Sequence, residues 1–239
     1  MCSKLRKLFS NGLSSSVFFS LFYSSMSQPS MKLISTFILS LLFSLFSITS
    51  DGQSFRKEYK SWKKNYKKTF RIDNSSPLGR VGTWRLKFFK PRSVFKITAN
   101  LEMINNGPII SFPTTTGKTM DYQPYAKAFF NVYSQPCTLI VYRSAKAINQ
   151  KTYENFLFVP FRDYTSGDES YGGGRYIDLK VTDIVDNKIV IDFNRAYNPY
   201  CAYNPAYSCP VPPAENSLPL EIRAGEKTFK RRGRAAKIQ

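Results

Sequence analysis

Between residues 55 and 70 the aromatic side chains Phe55, Tyr59, Trp62, Tyr66 and Phe70 recur at intervals of four, three, four and four. That spacing places them on one face of a helix, with lysines and arginines opposite, and predicts a basic amphipathic helix over 53–71. After the loop sequence NSSPLG the period changes. Phe95, Ile97, Ala99, Leu101 and Met103 alternate with Lys96, Thr98, Asn100 and Glu102, the pattern of a strand with one buried face. Similar runs bounded by turn formers predict strands over 81–89, 94–103, 109–112, 125–133, 138–143, 155–161, 175–181, 188–193 and 218–222. Asp186, Asn187 and Lys188 suit a tight turn, so 175–194 reads as a hairpin. No helical period of comparable quality follows residue 71, and there is no internal repeat. The pattern predicts a mainly β protein, an antiparallel β sandwich or partly open barrel with one N-terminal amphipathic helix.

Ahead of that helix, Met31 and Lys32 precede an apolar run from Leu33 to Ile48 that ends in small residues. A short positive start, an apolar stretch and a small-residue end read as a signal peptide over 31–52, cleaved after Gly52 or after Ser50. About 16 apolar residues interrupted by serine fall short of the roughly 20 that span a bilayer, so an uncleaved anchor is the lesser alternative. No cysteine ends the run, which disfavours lipoprotein processing. Residues 1–30 stand in front of a complete leader and read as an upstream extension. The expected location is therefore periplasmic or secreted.

Charge changes this picture less than its total suggests. The chain carries 35 Lys+Arg against 16 Asp+Glu, a formal net charge of +19. Residues 53–71 hold eight of the basic residues with Glu58 alone opposing them, and the tail 227–239 holds six with no acid. The intervening 72–226 is nearly balanced, with 17 basic and 14 acidic residues, so the β domain needs no nucleic acid to explain the charge. The helix over 55–70 could meet an anionic membrane surface, although its aromatic stripe can equally pack on the domain it leads into. Histidine is absent altogether. That excludes Ser/His and Cys/His nucleophile pairs, HExxH metal sites and imidazole bases.

From residue 156 to 227 the text becomes dense in turn formers and charges. PFRDYTSGDESYGGGRYIDL, DFNRAYNPYCAYNPAYSCPVPPAEN and IRAGEK resemble the bacterial domain of unknown function 1684 family, and fainter resemblance runs back to about residue 77. The resemblance implies no reaction and no cofactor. It does imply that Asp163, Thr165, Glu169, Tyr171, Gly174, Arg175, Asp192, Asn194, Asn198, Cys201, Asn204, Cys209, Glu215, Asn216, Gly225 and Glu226 form the shared feature, as a site or as a scaffold.

The residues themselves narrow the chemistry. Gly172, Gly173 and Gly174 supply positive φ, for a bulge entering the Arg175 strand in preference to an anion cradle; a phosphate loop would need a lysine and a following helix. The prolines between 199 and 213 impose an irregular loop that needs fastening. A Cys201–Cys209 disulfide suits an oxidising compartment; free thiols and metal ligation are the other readings, and zinc is poorly served without histidine. Cys137 opens an apolar strand and reads as a buried thiol. Among carboxylates, Glu169 with Asp192 is the first pair to consider for glycoside or ester hydrolysis, and Asp163, Asp168 and Glu169 for calcium, without a recognisable loop spacing. Three functions follow in order: a non-catalytic module binding a polar ligand or envelope component through the loops 163–176 and 194–216, a structural element with that block as a fastened lid, and a carboxylate-dependent hydrolase.

Overall fold

The structure, a computed structural model, describes residues 31–145 and 153–230, with side chains from Gly52 onward except at 80 and 81. The predicted extension over 1–30, the side chains of the leader and most of the basic tail lie outside the described residues. The chain divides into two compact units, 1–51 and 52–239. Helix α1 runs Met31–Ile72, and no helix among the described residues is long and apolar enough to cross a membrane.

In the second unit the predicted amphipathic stripe does its expected work. Tyr59 and Phe70 are buried, and Phe70 joins Leu86 and Tyr203 in a small aromatic cluster flanked by Tyr66, Phe88, Tyr200 and Phe229. Lys63 and Lys67 lie over the Phe88 ring at 4.5 and 6.0 Å. The aromatic face of 55–70 is thus turned to the domain.

Seven strands follow: β1 (Lys96–Met103), β2 (Ile110–Pro113), β3 (Thr119–Val132), β4 (Gln135–Ser144), β5 (Phe156–Phe161), β6 (Arg175–Lys180) and β7 (Lys188–Asp192). They form one antiparallel sheet in the order β6-β5-β4-β3-β1-β7, with β2 beside β3. The sheet curls into a partly open barrel, as the alternation predicts. Ala99, Ala128, Leu139, Val159, Ile177 and Ile191 point inward with their strand-mates to build the main core, and Ala196, Leu218, Ile222 and Ala224 close it from the C-terminal segment.

Two predicted strands are corrected. Residues 81–89 instead form a short helical turn (Gly79–Gly82) and a 3-10 turn (Thr83–Arg85). Thr83, Leu86 and Phe89 are buried at intervals of three, a turn period that the apolar composition disguised. Residues 218–222 run beside 162–164, with Leu218 N–H donating to Arg162 O at 2.8 Å and Tyr164 N–H to Leu220 O at 3.0 Å. Pro219 has no N–H to continue a ladder.

The predicted 175–194 hairpin keeps its turn but loses its pairing. Asp186 and Asn187 both have positive φ, 50° and 54°, and Val185 and Lys188 exchange backbone hydrogen bonds of 3.0 and 2.8 Å around them, a type I′ turn. A 3-10 turn over Val181–Asp183, capped by Lys180 N–H donating to Asp183 Oδ2 at 3.0 Å, diverts the chain first. Consequently β6 pairs with β5 and β7 with β1 but not with each other, and near its start β6 is bridged on the open side by Tyr197, which exchanges backbone hydrogen bonds of 2.9 and 3.0 Å with Tyr176. The barrel is left with a seam between β6 and β7.

Candidate functional site

The polar block divides between the protein's interior and the seam. Arg175, first residue of β6, is 0% exposed. Its Nη2 donates to Asp163 Oδ1 at 3.0 Å and Ile222 O at 2.9 Å, and its Nη1 to Ala224 O. The other oxygen of Asp163 accepts from Thr165 Oγ1 (2.7 Å), Thr165 N–H (3.2 Å) and Ile222 N–H (2.8 Å). Burial opposes the Arg175 charge, pulling its pKa below the ordinary value, and the Asp163 carboxylate works against that shift. Gly174, at φ 87°, makes room for this turn, since a Cβ there would stand 2.7 Å from Phe161 O and 2.6 Å from the Pro212 ring.

The asparagines act as backbone pins. Asn194 accepts from Arg92 N–H at 2.9 Å and donates to Arg92 O at 3.0 Å, while Asp192 Oδ1 accepts from its side chain at 2.9 Å. Asn216 accepts from Ile140 N–H at 2.7 Å and donates to Ile140 O and Pro160 O at 2.9 and 2.7 Å. Asn198 donates to Lys227 O at 2.8 Å, and Asn204 Oδ1 accepts from Ala206 N–H at 3.0 Å. Asn194 and Asn216 thus tie the C-terminal segment to the backbone at Arg92, Ile140 and Pro160, while Asn198 and Asn204 satisfy backbone groups outside any ladder.

Glu215 accepts from Tyr142 O–H at 3.1 Å. Glu169 is paired with Arg223 (3.0 Å) and Lys227 (3.1 Å), whereas Asp192 is paired with Arg195 (3.1 Å). These two carboxylates, taken together from the sequence as an acid/base pair, serve separate ion pairs, and only Asp192 reaches the seam. Asp163, Asp168 and Glu169 do not converge either; no metal-holding group of three ligands occurs among the described residues. Cys137, Cys201 and Cys209 are buried thiols. Cys201 N–H donates to Cys209 Sγ at 3.3 Å, and hydrogen bonding from Cys209 lowers the Cys201 pKa to about 6. Tyr171 O–H lies 3.6 Å from Cys201 Sγ.

The concave feature lies over the seam. A cleft of about 940 Å³ is bounded by α1, the outer faces of β6 and β7, and the segment 197–210. Six of its rings stand in series: Trp62 on Tyr66 (centroids 5.3 Å), Tyr66 to Tyr197 (6.2 Å), Tyr197 to Tyr176 (5.8 Å), Tyr176 to Phe158 (4.8 Å) and Phe158 on Tyr122 (5.2 Å). Tyr176 is anchored by donating to Pro210 O. Asp178 lies among these rings, accepting from Tyr197 O–H at 2.8 Å. It has water access through the cleft mouth while protein surrounds it on its other sides. Desolvation therefore raises its pKa despite its open face, and pushes Tyr197 well above a normal phenol. At the other end Glu58 binds Lys96 at 2.7 Å and also Arg195.

A second layer ties the cleft wall to the buried network. Tyr66 O–H (3.1 Å), Tyr203 O–H (2.6 Å) and Asn198 N–H (3.1 Å) all donate to Glu226 Oε2. Burial raises the Glu226 pKa to about 7, against the pull of those donors and of Arg175.

Of the residues that border the cleft, the sequence analysis singled out Asp192 and parts of the loops 163–176 and 194–216, and it did not single out Trp62, Tyr66, Tyr122, Phe158 or Asp178 as site residues. A usable signal existed. Phe158 and Tyr176 occupy strand positions whose alternation points away from the core, where aromatics need another partner.

The family model described as protein of unknown function, DUF1684, matches residues 84–227. No curated protein matches the chain. Among solved structures, the solution NMR structure of an uncharacterized protein from gene locus rrnAC0354 of Haloarcula marismortui has 30% sequence identity and a TM-score of 0.59, covering 75% of this chain and 97% of that one.

Proposed function

The chain belongs to the DUF1684 family of unknown function, and from that premise we propose that it is a non-catalytic module that binds a small polar ligand in the cleft over the β6–β7 seam. The single observation carrying this reading is the cleft itself, about 940 Å³ of ring-lined space with a carboxylate among the rings. That size and that mix of apolar wall with few polar groups are those of small-molecule sites. The buried half of the polar block, Asp163, Thr165, Arg175, Asn194 and Asn216, holds the loops that form the wall, and the ligand touches Tyr176, Asp178, Asp192 and Tyr197. Within this proposal the leader over 31–52 sends the protein out of the cytoplasm, so the ligand is met in the periplasm or outside the cell.

A thermal-shift panel of polar small molecules tests the binding reading, because a ligand that favours the folded state raises Tm with its concentration. At least one compound gives a saturable rise, and Val190→Trp, which fills the cleft from a 44% exposed strand position, removes it. No saturable rise, or a rise unchanged in Val190→Trp, defeats the reading.

A further inference from the structure

The cleft has a charge character opposite to that of the molecule around it. The chain is formally +19, yet the cleft lining holds Glu58, Asp178, Asp183 and Asp192 against only Lys96 and Arg195. Both of those cations are already engaged, Lys96 by Glu58 and Arg195 by Glu58 and Asp192. Asp178 has no lysine or arginine partner among the described residues, and the bond it accepts from Tyr197 O–H is neutral. Asp178 is exposed on the cleft side, so its carboxylate is open to a ligand. A positively charged ligand gains a counter-charge there and gains from the rings in addition, since aromatic faces attract cations.

We infer that the cleft takes an organic ammonium ion, its charge against the Asp178 carboxylate and its methyl or methylene groups against the rings of Tyr66, Tyr176 and Tyr197. Inorganic cations are poorly suited, because rings replace the oxygen ligands they require. Anionic ligands meet an unbalanced carboxylate. Neutral polyols can stack on the rings and donate hydroxyls to the carboxylates, so they are the competing class that the experiment must separate. The inference rests on the ligand-binding reading of the same cleft.

Choline and its neutral carbon isostere neohexanol have the same shape and differ in charge, so titrating each into the full chain by calorimetry isolates the electrostatic part. Methyl glucoside serves as the polyol arm. Choline is expected to bind saturably and roughly tenfold or more tightly than neohexanol. Asp178→Asn abolishes that preference, while Glu102→Gln, at an exposed strand position outside the cleft, preserves it. Circular dichroism on both variants establishes that they are folded. Neohexanol or methyl glucoside binding as tightly as choline, or a preference that survives Asp178→Asn, overturns the ammonium assignment while leaving the cleft as a ligand site. Absence of any saturable binding in this set, together with no Val190→Trp-sensitive Tm rise in the panel, overturns both.

Discussion

Arg175 and Asp163 face each other at 3.0 Å with both side chains sealed from solvent. A pair of this kind contributes modestly as a pair, but removing one member strands the other charge. Arg175→Met should therefore destabilise by about 3–5 kcal/mol in chemical denaturation, and adding Asp163→Asn, which keeps an acceptor for Thr165 and Ile222 without the charge, should recover part of the loss. Glu226 makes a second prediction at this scale. Its pKa is about 7 in the fold against an ordinary 4.5, so the folded state binds the proton more tightly than the unfolded chain. Stability from this group is complete below the unfolded value and is lost as pH rises through about 7, a loss of roughly 3 kcal/mol. Glu226→Gln, which resembles the protonated acid, should flatten that part of the Tm–pH curve in calorimetry; an unchanged slope contradicts the assignment. The motif sequence carried the identities of these residues, but not their direction. Asp, Arg, Asn and Glu in a turn-rich text suit a solvated loop face as well as an internal brace, and burial decides between them.

Seven of the nine predicted strands and the aromatic helix were legible from period and turn formers, because one buried face imposes a period of two on a strand and three to four on a helix. The two failures are instructive at the level of elements. Residues 81–89 are apolar enough for a strand yet bury every third side chain, and Pro219 interrupts a segment that otherwise lies where a strand would. The seam escaped detection because the type I′ turn at Asp186 and Asn187 signals a hairpin truthfully, while the 3-10 turn at 181–183 that separates the two strands has no distinctive residues. Since α1 supplies one wall of the resulting cleft, its anchorage matters. Phe70→Ala, in the cluster with Leu86 and Tyr203, should cost about 3–5 kcal/mol by denaturation. In the 199–213 loop the two neighbouring thiols make a redox prediction. On treatment with oxidised glutathione, Cys201 and Cys209 should join and Cys137 should stay a thiol, detected by alkylation and intact mass. The new bridge closes about nine residues and should add roughly 2–3 kcal/mol. Alkylation of Cys201 and Cys209 after oxidation contradicts it.

On the scale of the whole molecule, the sheet's incomplete closure and the charge distribution meet at one place. The excess basic residues lie in the helix and the tail, while four acidic side chains, Glu58, Asp178, Asp183 and Asp192, line the cleft at the seam beside its aromatic rings. Membership in a family of unknown function fixes the fold class without fixing the ligand, so the cleft has to be read from its own chemistry. A crystallographic fragment screen on the protein addresses that reading most directly. The account predicts fragment density between Tyr66, Tyr176, Asp178 and Tyr197, with ammonium-bearing fragments placing nitrogen beside the Asp178 carboxylate. Density that clusters instead around the 163–174 turn, with the seam cleft empty across the screen, would contradict it.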